Sequence, residues 1–240
     1  MKLKQVILFM LISMIFIGCT PVEKVKVEES DIDLIQFETP KEGQDIAIIE
    51  TSLGNVTIAL YPDKAPQTVA HFKKLVESGF YDNKDVYTHS YIEMMTMGFS
   101  EETTEKGEIL TENKKPVKTE SSEDLWHFSG CVSVLGYTNS PFSRQRVSDS
   151  RFFILGDNKA SPTTIEEMEE QGYPKKLIDA YKEHGGFLNY SGVYTVFGQV
   201  IDGMDIVNEI SAIKNPDGET NKPIQEVKIN SIKLSVYSQK

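Results

Sequence analysis

The chain has 240 residues, 39% of them hydrophobic and 25% charged, which supplies one sizeable core and is ordinary for a globular protein. A formal net charge of −11 and a pI near 4.9 argue against a nucleic-acid partner and against electrostatic adhesion to anionic lipid.

The N-terminus reads as a targeting segment. Lys2 and Lys4 precede an apolar run, Gln5–Ile17, that is too short for an ordinary membrane span. The following Phe16-Ile17-Gly18-Cys19 resembles the lipobox of bacterial lipoproteins. That resemblance implies removal of residues 1–18 and acylation of Cys19. An uncleaved anchor or a plain secretory signal is the alternative. The expected location is the cell membrane, lipid-anchored on its extracytoplasmic face. Cys131 then remains as the sole free thiol, so no intramolecular disulfide is possible. Within the apolar run Gly130–Leu135 it reads as a small core residue. Residues 19–44 are rich in Glu, Asp, Lys and Ser and read as an acidic, solvated tether. Ile32, Leu34, Ile35 and Phe37 leave open an arm that packs on the domain instead.

Residues 45–240 read as one domain. Asp45–Thr51 and Val56–Tyr61 are predicted strands joined at Gly54-Asn55, a tight hairpin signal. Pro66 suits the first position of a helix in which Val69, Phe72, Leu75 and Val76 recur at helical spacing, with Gly79 as the stop. Val86–Met97 is apolar enough for one or two strands, and Ser100–Asp124 is a charged excursion without a core pattern. Phe128–Leu135 resumes as a strand, and Gly136–Ser148 reads as a polar loop. Residues 156–187 form an insertion with two short helices. Thr164 and Glu167 have capping-box spacing with Gly172 as stop; Pro174 starts the second helix and Gly185-Gly186 end it. The acidic run Glu166–Glu170 is a helix surface and supplies no metal site by itself. Tyr194–Ile201 is a strand, and Met204, Val207 and Ile210 mark a second core-facing helix. In the closing strand Glu226–Tyr237, the apolar parity switches between Ile229 and Ile232, which predicts a bulge near Asn230-Ser231. About eight strands with two such helices favour closure into an antiparallel barrel, since closure removes exposed edges.

Ser148–Leu155 is the stretch that carries chemistry. Arg151 and Phe153 are two apart in a predicted strand, so a guanidinium and an aromatic ring share one face. All three arginines, Arg144, Arg146 and Arg151, fall in or just before it.

Several segments in order resemble the cyclophilins: Thr51–Phe72, the turn Gly79-Phe80-Tyr81-Asp82, Ser150-Arg151-Phe152-Phe153-Ile154, and Thr195–Met204. The resemblance runs from about Ile46 to Tyr237. It implies a mainly β fold, a cyclophilin-like closed eight-stranded antiparallel barrel with two capping helices and, here, a helical insertion. It also implies peptidyl-prolyl cis-trans isomerase ancestry, proline-containing polypeptide clients, no cofactor and a monomer.

Rotation about an X–Pro bond faces a barrier of roughly 18–20 kcal/mol because it breaks amide resonance. A catalyst must seat the prolyl ring in an apolar pocket and favour the twisted amide, whose nitrogen regains a lone pair and accepts from a fixed donor. In the family an Arg after the Gly-Phe-Tyr turn is that donor. Here the segment is Val86-Tyr87-Thr88-His89-Ser90, so Thr88 or His89 takes the place. The family's Gln before Phe-Phe is Arg151, which becomes the candidate relocated donor, with His89 as a second. The implied substrate-binding set is Phe153, Met94, Met95, Thr96, Tyr190 and Tyr194. Three readings stay open. The first two are an isomerase of reduced activity assisting exported proteins at the membrane surface and a degenerate peptide-binding or scaffold lipoprotein. A structural lipoprotein without a ligand is the third.

Overall fold

The computed structural model describes residues 27–88, 94–97, 117–138, 146–213 and 223–239. The strands are β1 (Asp45–Thr51), β2 (Asn55–Leu60), β3 (Lys84–Thr88), β4 (Met94–Met97), β5 (Val117–Lys118), β6 (Cys131–Thr138), β7 (Arg146–Leu155), β8 (Thr195–Asp202) and β9 (Pro223–Val236). The helices are α1 (Pro66–Glu77), α2 (Pro162–Gln171), α3 (Lys175–His184) and α4 (Met204–Ala212).

Eight strands form the ring β4-β3-β9-β1-β2-β8-β6-β7, closed by a β4–β7 pairing, while the two-residue β5 adds to the side of β7. The pairings around the ring are antiparallel. The expected barrel is therefore present. Its interior holds Ile49, Ile58, Leu60, Val86, Phe152, Ile154, Phe197 and Ile229, and both long-range helices pack onto it. From α1, Phe72 lies 5.4 Å from Phe152 and 5.2 Å from Phe197 between ring centroids, a cluster that fixes the helix over the barrel. From α4, Val207 and Ile210 do the same work. The predicted bulge is also found: Glu50 pairs with Ser231 and Thr51 with Ile229, which leaves Asn230 as the extra residue and flips the parity of β9.

Three expectations are corrected and one open alternative is decided. Of the two readings of the stretch before Asp45, the arm that packs on the domain is the one found among the described residues. Ile32 is fully buried and, with Leu34 and Phe37, joins a second core formed by Trp126, Phe128, Met168, Leu177 and Tyr181. The predicted loop Gly136–Ser148 is shorter, because Tyr137 and Thr138 pair with Val147 and Arg146. Ladder bonds use backbone groups only, so polar side chains do not signal them. The charged excursion ends in order. Glu120 accepts from the backbone N–H groups of Gln67 and Thr68 at 3.1 and 2.8 Å, placing a carboxylate on the N-terminus of α1. The first insertion helix starts earlier than its capping-box spacing predicts. Ser161 Oγ accepts from Thr164 N at 3.0 Å and Pro162 takes the first turn. Gly172 in the left-handed conformation (φ 77°) ends that helix as expected.

Candidate active site

The site begins with strand alternation. In β7, Phe152 and Ile154 point into the barrel, so Phe153 and Leu155 point out. The register places Phe153 opposite Thr96 on β4 and Ser133 on β6; Thr96 faces Tyr87 on β3, and Ser133 faces Val196 on β8. Five strands thus contribute one row across the outer face: Tyr87, Thr96, Phe153, Ser133, Val196.

Over this row lies the segment that leaves the insertion, Gly185–Tyr194. Tyr190 and Tyr194 meet the Phe153 ring edge-on, each at 5.7 Å between centroids, and stand 5.0 Å from one another. His127 lies nearly parallel to Phe153 at 6.2 Å. Phe153 is completely buried, and Tyr190 and Tyr194 are half-buried. The structure brings Phe153, Thr96, Tyr190 and Tyr194 together, with the aromatic floor covered.

His127 belongs to the site although the sequence does not point to it. Its Nε2 is 3.1 Å from Ser133 Oγ, and the Ser133 hydroxyl itself donates to Thr195 O at 2.8 Å. With its proton committed, Ser133 Oγ accepts, so Nε2 carries the imidazole proton. Nδ1 then accepts from Ser191 Oγ at 3.4 Å, and Tyr181 Oη lies 3.4 Å beyond. A polar chain thus runs from α3 through the covering segment to the barrel wall. Burial pushes the imidazole pKa down to about 3, which keeps it neutral. Its only sequence signal is a histidine next to the start of an apolar run, which has no fixed meaning.

Arg151 is half-buried, two residues from Phe153 on the same strand. β6 and β7 lose register between Val134 and Gly136, which pair with Phe152 and Ser148. Asp149–Arg151 thus fall in a bulge, the kind of irregularity that re-aims side chains beside active sites. Thr88 is not a donor to this face. It is buried, shares the inward parity of Val86, and its hydroxyl donates to Ile213 O at 2.8 Å at the end of α4. In β4, Met94 and Met95 occupy the register positions opposite Leu155 and Ile154. His89 and the lipidation candidate Cys19 lie outside the described residues. Cys131 is a buried core thiol beside Phe153 and Leu155, as expected, with its pKa pushed up by burial.

The second core braces the covering segment. Gln36 accepts from Trp126 N at 2.6 Å and donates to Trp126 O at 3.0 Å and to Gln199 Oε1 at 2.8 Å. Phe37 stacks on His184 at 3.6 Å, and Phe187 N donates to His127 O at 2.7 Å. Arm, insertion and site wall are one packed unit.

Comparison with known proteins agrees with this architecture. The family model for cyclophilin type peptidyl-prolyl cis-trans isomerase/CLD matches residues 46–234. A Staphylococcus saprophyticus protein named as a peptidyl-prolyl cis-trans isomerase is 29% identical over 202 residues, covering 83% of this chain and 96% of that one. A Streptococcus pyogenes protein named as a bifunctional phosphatase/peptidyl-prolyl cis-trans isomerase is 28% identical over 217 residues, covering 88% of this chain and 43% of that one. In structure, a Cryptosporidium parvum cyclophilin type isomerase superposes with a TM-score of 0.54 at 18% identity, covering 82% of this chain and 99% of that one. The same protein in the presence of the dipeptide Ala-Pro gives 0.53. With a family model spanning the whole barrel, the chain belongs to the cyclophilin-type peptidyl-prolyl cis-trans isomerases.

Proposed function

We propose that the chain isomerises X–Pro bonds of exported polypeptides at the outer face of the membrane, more slowly than a site with the family's usual arginine. The observation that carries the isomerase reading is Phe153, an aromatic floor facing out of the barrel, framed by Thr96, Tyr190 and Tyr194. Arg151, beside it in the bulge of β7, is the candidate for the donor to the twisted prolyl nitrogen. Two features support slow turnover. Neither Thr88 nor His89 is an arginine, and loss of one preorganised donor typically costs about 10²–10³ in rate. Phe153 is also fully buried, so a prolyl ring reaches it only after the covering rings shift.

An isomerisation assay on a short Ala-Pro peptide tests this. Measurable turnover that drops at least tenfold in Arg151→Ala supports it; unchanged turnover in that variant removes Arg151 from the mechanism. Thr88 and His89, standing where the family has its arginine, favour a second reading, a peptide-binding or scaffold lipoprotein. Peptide binding without any turnover in the wild-type protein would decide for that one. The membrane placement rests on Gly18-Cys19 after the apolar run. Metabolic labelling with a fatty-acid analogue is expected to mark the wild-type protein and not Cys19→Ala, and a label kept by that variant would count against acylation at Cys19.

A further inference from the structure

The cover over Phe153 is a self-contained turn. Tyr190 N donates to Phe187 O at 3.1 Å, Ser191 N to Leu188 O at 2.8 Å, and Val193 N and Tyr194 N to Tyr190 O at 3.0 and 3.1 Å. These bonds run within residues 187–194, so the turn can shift as one body without losing them. Its ends are fixed, by Phe187 N on His127 O and by Thr195, the first residue of β8. Its tip packs loosely: Asn189 and Gly192 are exposed, and a Cβ at Gly192 would meet nothing within 4 Å. Tyr190 and Tyr194, the two rings on Phe153, ride on this body.

Ser191 ties the body to the barrel wall. The polar chain through it has a single direction. Tyr181 Oη donates to Ser191 Oγ and Ser191 Oγ to His127 Nδ1, both at 3.4 Å. His127 Nε2 then donates to Ser133 Oγ at 3.1 Å, and Ser133 Oγ to Thr195 O at 2.8 Å. Each side chain in the middle of the chain gives one proton and takes one, the arrangement in which neighbouring hydrogen bonds strengthen one another. The buried imidazole also stands 5.9 Å from the Tyr190 ring and 6.5 Å from the Tyr194 ring. An outward shift that bares Phe153 carries Ser191 away from His127 and breaks the chain at its centre.

We propose that Ser191, latched to His127, is a positioning residue that sets how readily a proline-containing peptide reaches Phe153. This rests on the isomerase reading above. A closed latch weakens binding, because the apparent affinity is the intrinsic one scaled by the fraction of molecules with the cover displaced. The peptide-bound state already has the cover displaced, so the latch acts on KM and not on kcat.

The test uses the detergent-solubilised full-length protein and an Ala-Pro peptide, with exchange and binding both followed by NMR. Ser191→Ala removes the tie at a half-buried position and leaves the backbone bonds of the turn in place. One net neutral hydrogen bond corresponds to about two- to tenfold in an equilibrium. KM and Kd are therefore expected to fall by about that factor, while kcat stays at the wild-type value. Ser191→Thr returns the hydroxyl, and the extended backbone at this position (φ −65°, ψ 131°) accepts a β-branched residue. It should bring both constants back toward wild type. A residue that only braces the fold would act the other way, with Ser191→Ala losing melting temperature and kcat/KM together. That result, or constants unchanged in Ser191→Ala, would overturn the latch and leave the isomerase reading intact. If neither wild type nor Ser191→Ala binds or turns over the peptide, both fall.

Discussion

His127 shows what burial does to a single side chain at this site. It is 1% exposed and neutral, with one nitrogen on Ser133 and the other on Ser191. The unfolded chain takes up a proton near pH 6.5, while the folded chain resists until about pH 3. Between those values the unfolded state binds more protons, so this stabilisation is complete above pH 6.5 and is lost as the pH falls toward 3. At about 1.4 kcal/mol per pH unit the loss amounts to a few kcal/mol. Urea denaturation at pH 7 and pH 4 is expected to show a steep drop for wild type and a smaller one for His127→Gln. Equal drops would mean that the carboxylates carry the acid sensitivity. None of this is legible in the sequence, because a lone histidine does not reveal its burial. Phe153 is legible, because an aromatic at fixed parity in an apolar run must face one side or the other. That Phe153 is sealed is not, since its cover comes from Tyr190 and Tyr194, on a segment beyond the helical insertion.

At the scale of elements, periodicity carries most of the information. α1 and α4 follow from apolar spacing, and the Asn230 bulge follows from a parity switch that only a shifted register explains. What escapes are contacts made by polar side chains across long separations. Glu120 is the clearest example. Nothing local marks it, yet it accepts from Gln67 N, Thr68 N and Thr68 Oγ1 at the first turn of α1, while its own N–H donates to Thr195 Oγ1. It therefore ties the barrel's main helix to the strand that leads out of the covering segment. Glu120→Ala leaves the N–H groups of that turn without their acceptor and should cost about 1–2 kcal/mol, a value typical of a lost helix cap. Thermal unfolding reads this directly, and a melting temperature unchanged from wild type would show that water replaces the carboxylate. Isomerase turnover should be retained in folded protein, because Glu120 lies at the helix terminus and not among the rings around Phe153.

For the molecule as a whole, the decisive feature is that an N-terminal arm packs into a second core beside the barrel. The apolar residues Ile32, Leu34, Ile35 and Phe37 leave an anchor open in the sequence, but the charge-rich stretch around them does not say whether they pack. That anchor buries Ile32 completely and stacks Phe37 on His184; it also holds Lys176 to the Ile32 carbonyl at 2.5 Å and sets Gln36 between Trp126 and Gln199. Asp124 fixes it from the other side, accepting from Asp33 N at 2.9 Å and pairing with Lys64 at 2.5 Å. Removing residues 1–44 therefore opens the second core and takes the Gln36 amide away from the Trp126 peptide and Gln199. Each unsatisfied buried polar group costs about 1–3 kcal/mol, on top of the lost burial of Ile32 and Phe37. A chain starting at Asp45 should melt well below one starting at Val27. The damage should also reach the site, since Tyr190 and Tyr194 are held through the insertion that the arm packs against. If the barrel is indifferent to the arm, the two chains will share a melting temperature and a kcat/KM. If it is braced as the contacts require, only the chain from Val27 will keep both, and adding a peptide spanning residues 27–44 in trans should restore part of the lost stability.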